Sequence, residues 1–228
     1  MAVTYNASII TDGLKLCYDT YSVKSYPGSG TVLYDVSGNA LNATLSSAIT
    51  GGVLTSGRSA TSPVTSILNT DFHSIFFFVR FNTTATYGSN GYSGSYDKIF
   101  SFNAGGSDRS PAIWRHPNER TLHWRYDPAN TGCDFAKALG TGSQFDIDKW
   151  YYVGVVKNGS SATSYVNGVN IGAQTVAYPK TAGTASIIVY ESHPTDIISI
   201  GCLHIYDRLL STSEVMNNFI SIRRRYGI

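Results

Sequence analysis

Short runs of this chain alternate apolar and polar residues with a period of two. Leu14-Lys15-Leu16-Cys17-Tyr18-Asp19 predicts a strand with one face turned inward. Residues 74–81 hold Ile75-Phe76-Phe77-Phe78-Val79, the most apolar run, and predict a strand in the middle of a sheet. Further strands are predicted over residues 98–102, 121–126, 150–156, 162–166, 186–190 and 197–206, with a hairpin tip over 115–120. Within the 150–156 run, Trp150 and Tyr152 share one face while Tyr151 and Val153 share the other, so one of these pairs should plug a core. Residues 26–30 and 35–39 are turn chemistry, and Asn158-Gly159 and Asn167-Gly168 are hairpin signals needing positive φ. One helix is predicted near the C-terminus. Ser211 and Glu214 have capping-box spacing, and Val215, Met216, Phe219 and Ile222 form an apolar stripe. Arg223, Arg224 and Arg225 then fall where cations suit the helix-end carbonyls, or where they offer a docking patch to an acidic partner. Many short strands between turn signals, without a βαβ rhythm, point to an all-β sandwich or jelly roll.

Composition supports this reading. The 228 residues suit one domain, and 50 Ser and Thr, 22 Gly and 16 Tyr favour strands and turns over helices. A hydrophobic fraction of 42% supplies a core, which argues against disorder. A net charge of +2 is not the footprint of a nucleic-acid binder. The apolar runs are too short to cross a bilayer as helices, and the first residues, Met1-Ala2-Val3-Thr4-Tyr5-Asn6, lack a basic leader and an apolar signal core. A cytosol-like setting is therefore expected, at least until assembly. Cys17, Cys133 and Cys202 are too few and too scattered for a disulfide framework or a zinc site, so buried free thiols are expected.

Four stretches together carry a family resemblance. The first is Asp12-Gly13-Leu14-Lys15-Leu16-Cys17-Tyr18-Asp19, followed by Ser25-Tyr26-Pro27-Gly28-Ser29-Gly30 and Asp35-Val36-Ser37-Gly38-Asn39. The second is Asp148-Lys149-Trp150-Tyr151-Tyr152-Val153, and the third Tyr165-Val166-Asn167-Gly168. The fourth is Ile205-Tyr206-Asp207-Arg208-Leu209-Leu210-Ser211 with Glu214. In this order they resemble the laminin-G-like branch of the concanavalin A-like lectin/glucanase superfamily. The resemblance spans about residues 12–226, with nothing specific over 45–145. It implies a concanavalin A-like jelly-roll sandwich of two antiparallel sheets with a short C-terminal helix. The domain would cover 12–228, with 1–11 as an N-terminal arm or edge strand. Asp207 and Arg208 are expected to form a local ion pair where the last strand meets the helix.

The opening signature and the Arg223-Arg224-Arg225-Tyr226-Gly227-Ile228 ending resemble versions carried by tailed bacteriophages and cyanophages. That implies a non-enzymatic virion structural protein, either capsid decoration or cement or else a tail or fibre component. It would be made in the host cytoplasm and touch the major capsid protein or tail proteins in many copies. The alternative is a carbohydrate-binding module that attaches to surface glycans.

Catalytic chemistry is not expected. Glucanases of the superfamily pair carboxylates on one strand, but Glu119, Glu191 and Glu214 are far apart here, and Glu214 serves a helix cap. Asp146 and Asp148 are the nearest pair and read as a polar turn before a buried strand. The five His show no metal-ligand spacing, and no nucleophile elbow occurs. No cofactor is expected, with calcium the one exception the resemblance leaves open. Its hard oxygen ligands would come from Asp12, Asp35, Asn39, Asp127 and Asp134, though no spacing among them marks a site. The candidate contact surface is aromatic: Tyr87, Tyr92, Tyr96, Trp114, Arg115, Trp124 and Tyr126. These residues suit a protein interface or the stacking of a sugar ring, against the simpler reading of core filling by Trp and loop placement of Tyr.

Overall fold

The computed structural model describes residues 8–55, 58–82, 97–102, 111–116, 119–126, 132–134, 144–176, 183–189 and 198–228, with the backbone alone for 97 and 132–134. Its strands run, in chain order, β1 (Leu14–Asp19), β2 (Val32–Leu33), β3 (Ala43–Leu45), β4 (Ala60–Thr65), β5 (Phe72–Phe81), β6 (Asp97–Phe102) and β7 (Ala112–Arg115). They continue as β8 (Leu122–Arg125), β9 (Gly132–Asp134), β10 (Trp150–Asn158), β11 (Ser161–Val166), β12 (Val169–Thr175), β13 (Ala185–Val189) and β14 (Ile198–Tyr206). One helix, α1 (Thr212–Ile222), is followed by a 3-10 turn, Arg223–Tyr226. Two sheets form: six strands in the order β1-β14-β5-β10-β11-β12, and eight in the order β2-β3-β4-β13-β6-β7-β8-β9. All pairings between these strands are antiparallel. The expected all-β sandwich of two antiparallel sheets with a C-terminal helix is what is found.

The apolar run of β5 lies inside the six-stranded sheet, and it is buried on both faces. Ile75, Phe77, Val79 and Phe81 enter the core between the sheets. Phe76 and Phe78 enter a second cluster with Val215, Ile222 and Tyr226, so α1 and the turn after it roof the other face. Neither pair of the β10 run is left out. Val153 joins the first core with Tyr151 against it, while Trp150 and Tyr152 join the second cluster. Gly154 makes this possible, because a Cβ there would lie 2.1 Å from the Phe76 ring.

The capping box forms as expected, with the Ser211 and Glu214 side chains each taking the other's backbone amide. Ser74 ties the helix entry to β5, donating to the Arg208 carbonyl (2.8 Å) and accepting from the Leu210 amide (2.9 Å). Asn167 (φ +50) and Gly168 (φ +80) form the β11–β12 turn. Met216 of α1 rests on Gly168, where a Cβ would lie 2.8 Å from its sulfur. Asp207 and Arg208 do not pair with each other. Asp207 pairs with Lys15 (3.0 Å), while Arg208 grips Glu214 through both guanidinium ends (2.7 and 3.1 Å) and reaches Asp12 (2.8 Å). Both residues lie in the bend between β14 and α1, where each meets a different neighbour.

Residues 1–7 of the expected arm lie outside the described residues. The stretch that follows packs on the chain's own helix. Asn218 accepts from the Ile10 amide (2.7 Å), and Tyr206 donates to the Ile10 carbonyl (2.9 Å).

Candidate functional site

The expected aromatic surface is not a surface where its residues are described. Trp124 and Tyr126 belong to the core between the sheets, stacked beside each other with ring centres 6.3 Å apart. Trp114 and Arg115 of β7 are buried too, and Arg115 donates to the His116 carbonyl (2.6 Å). Large rings on strands facing an opposing sheet bury the most apolar area, and that outweighs their use as stacking platforms. Core filling is thus the reading that holds for Trp124, while Trp114 is buried on the other face of the eight-stranded sheet, where it pairs across from His123. Tyr87, Tyr92 and Tyr96 lie outside the described residues.

The hard oxygens suggested for calcium are engaged elsewhere. Asp35 is the hub of its loop: its oxygens accept from the amides of Cys17 (2.9 Å), Ser37 (2.9 Å) and Leu41 (3.2 Å) and from the Ser37 hydroxyl (2.8 Å). Asn39 donates its amide to the Leu14 and Lys15 carbonyls, and Asp12 pairs with Arg208. Asp35 and Asp12 thus serve the chain's own donors, and Asn39 is held through its amide nitrogen. The side chains of Asp127 and Asp134 lie outside the described residues. Among the described residues no three His, Cys, Asp or Glu stand together.

The Asp146–Asp148 pair is a turn. Asp146 binds Lys149 (2.7 Å), and that ammonium holds its carboxyl below the usual range. Asp148 has φ +58 and donates its amide to the Phe81 carbonyl (2.8 Å). Glu214 is held at a pKa of about 2, chiefly by the Arg208 guanidinium. A carboxyl gripped this way stays ionised at neutral pH and has no proton to donate to a leaving group.

What the fold does build is an open depression of about 300 Å³ at one rim of the sandwich. Tyr21, Val23 and Pro27 from the segment after β1 line it, with Ile49, Gly51 and Gly52 from the segment between β3 and β4. Tyr26 joins the two segments from below: its phenol oxygen accepts from the Ile49 amide (2.9 Å) and donates to the Gly30 carbonyl (3.2 Å). Ser25 braces the same turn, donating to the Tyr34 carbonyl (2.5 Å) and accepting from the Asp19 amide (3.1 Å). Sequence reading marked the Tyr26 turn as loop chemistry but had no signal for its partner segment, which lies more than twenty residues on. Cys17 and Cys202 are buried free thiols under the helix, and burial raises the pKa of both, so they are inert packing groups. The side chain of Cys133 lies outside the described residues.

Comparison with known proteins agrees with this architecture. Residues 50–216 match a laminin-G family model described as the concanavalin A-like lectin/glucanases superfamily. That match runs through the middle of the chain, where no motif was recognised. No curated protein matches the sequence. Among solved structures, Trypanosoma rangeli sialidase in complex with the inhibitor DANA is similar, with a TM-score of 0.65 and 16% identity over 96% of this chain and 34% of that one. The binding domain of botulinum neurotoxin serotype D gives 0.63 and 17% over 92% of this chain and 52% of that one. A botulinum neurotoxin type C structure, whose cell entry depends on two ganglioside molecules, gives 0.62 and 17% over 93% and 52%. This chain spans about a third of the sialidase and about half of the neurotoxin chains. At such identities the likeness is one of fold.

Proposed function

This chain belongs to the concanavalin A-like lectin/glucanase superfamily, and from that premise we propose that it works by contact rather than by catalysis. The observation that carries the reading is the use made of the acids among the described residues. Asp19, Asp71, Asp146, Asp207 and Glu214 each sit in an ion pair that joins elements or caps a helix or turn, and Asp35 organises a loop. Most retaining and inverting glycosidases need two carboxyls facing one another across a cleft, one of them protonated, whereas sialidases replace the nucleophilic carboxylate with a Tyr. The T. rangeli neighbours are sialidases, so the enzymatic alternative has a direct assay. Incubation with fluorogenic sialoside, glucoside and galactoside substrates should release no product, and turnover that disappears in Asp148→Asn would overturn this reading.

The setting that the two terminal signatures support is a phage virion, as capsid decoration or cement or as a tail or fibre component in many copies. Its partners there are the major capsid protein or tail proteins. Few charges must be desolvated when such a surface packs, since charged residues are only 14% of the chain. Quantitative mass spectrometry of purified particles should find this chain at tens of copies or more per particle. Recovery from soluble extract alone would sink the virion setting. A second reading, attachment to surface glycans, is favoured by the preformed rim depression and by the ganglioside-dependent neighbour.

A further inference from the structure

The two terminal signatures converge on the rim depression. Tyr21 is 40% exposed, yet its ring is fixed. Tyr226, from the closing 3-10 turn, meets it edge-on with centres 5.0 Å apart. Tyr226 is itself stacked on Phe78 (3.8 Å), against Trp150 (4.9 Å), and over Gly201, where a Cβ would lie 2.4 Å from its ring. Tyr21 also lies against Gly52, whose Cβ would come within 3.1 Å of the ring. Arg225 pairs with Asp19, which in turn accepts from the Tyr21 amide (3.2 Å). An exposed aromatic ring is thus clamped by the last residues of the chain, and the opening turn forms the floor beside it.

The adjoining turn supplies donors. Gly51 (φ +70) and Gly52 (φ +72) hold the two central positions of a tight turn, and among the described residues no backbone carbonyl takes either amide. No residue lining the depression carries a charge. Its volume of about 300 Å³ falls at the small end of ligand sites.

We propose that this depression is a binding site for one ring of a neutral glycan, stacked on Tyr21 with hydroxyls reaching the Gly51 and Gly52 amides. An apolar protein side chain would use Tyr21 but bury two unpaired amides, at a desolvation penalty that a polyol avoids. No cation lines the depression to balance an acidic sugar: Arg58 is turned to the Thr50 hydroxyl and Arg225 to Asp19. Because the ring and floor are preformed, little ordering opposes binding. Tyr226 and Arg225 are positioning residues. This proposal rests on the glycan reading above and narrows it to one site and one ligand class.

The test is a glycan array carrying neutral gluco-, galacto- and manno-oligosaccharides beside sialylated ones, followed by titration calorimetry with the best neutral oligosaccharide. Neutral glycans should bind, and Tyr21→Ala should weaken the best about tenfold or more. Tyr21 also packs on Tyr226, so Val23→Glu supplies a variant that leaves the fold alone. Val23 is 79% exposed, and its replacement should abolish binding with an unchanged melting temperature. A blank array would overturn both the site and the glycan reading. Binding that survives both substitutions would overturn the site and leave the glycan reading standing elsewhere. A preference for sialylated glycans, or binding only to a virion protein that competes at Tyr21, would overturn the neutral-sugar assignment.

Discussion

His204 of β14 is wholly buried beneath α1, within hydrogen-bonding reach of the Tyr152 phenol (3.2 Å) and with its ring edge-on to Tyr206. Desolvation lowers its pKa from 6.5 to about 4, and the Arg225 charge pushes the same way. The unfolded chain therefore binds this proton more readily than the folded one. Stability from this group is complete above pH 6.5, falls as pH drops towards 4, and levels off below, a loss on the order of 3 kcal/mol. Urea midpoints measured from pH 7.5 to 3.5 should show this slope, and His204→Asn should flatten it. Glu214 adds a separate acid loss at lower pH: its carboxyl is held at about 2 against an ordinary 4.5, so its contribution declines as pH falls below 4.5. At the other end of β14, Gly201→Ala would drive a Cβ to within 2.4 Å of the Tyr226 ring. Overpacking of this kind should destabilise by about 1–3 kcal/mol in chemical unfolding and should loosen Tyr21 as well. Single residues revealed little of this beforehand. His204 and Gly201 look like ordinary strand residues, and their weight comes from neighbours far away in sequence.

Elements were read more fully than residues, because alternation and capping are local physics. The capping box is a case in point: Ser211→Ala should lower stability by about 1 kcal/mol, measurable as a shift in the urea midpoint without a change in slope. Gly168→Ala should do more than strain a left-handed turn. It would press on Met216 and tilt α1 away from its seat, visible as lost near-ultraviolet dichroism from the aromatics beneath. Strand phase is the part that alternation alone does not give. In β14, Ile198 and Ile200 face the central core, but so do Leu203 and Ile205, because the pairing with β5 shifts register between Ile200 and Leu203. A bulge swaps the faces of every residue beyond it, and no period-two pattern announces where that happens. The short strands β2, β3, β7 and β9 also escaped notice, as did the longer β4, which carries a Pro, and β12, which is mostly exposed. Two to four residues hold too little periodicity to read, and pairing partners decide their state.

At the scale of the molecule, two layers of strands and a helical roof make two apolar clusters that share the six-stranded sheet. Removing residues 211–228 should therefore do more than trim an end. It would expose Phe76, Phe78, Trp150 and Tyr152 together, and the shortened chain should bind a hydrophobic dye and precipitate where the full chain stays soluble. The order of strand, turn and helix signals along this sequence was enough to determine an all-β sandwich and a capped terminal helix, since each depends on neighbours within a few residues. Tertiary structure alone decided which rings stay exposed and which are core. Trp124 and Tyr126 are enclosed by an opposing sheet, whereas Tyr21 is left at the rim, backed by a residue more than two hundred positions away. Exposure depends on what the rest of the chain places overhead, and that is a property of packing rather than of any local pattern.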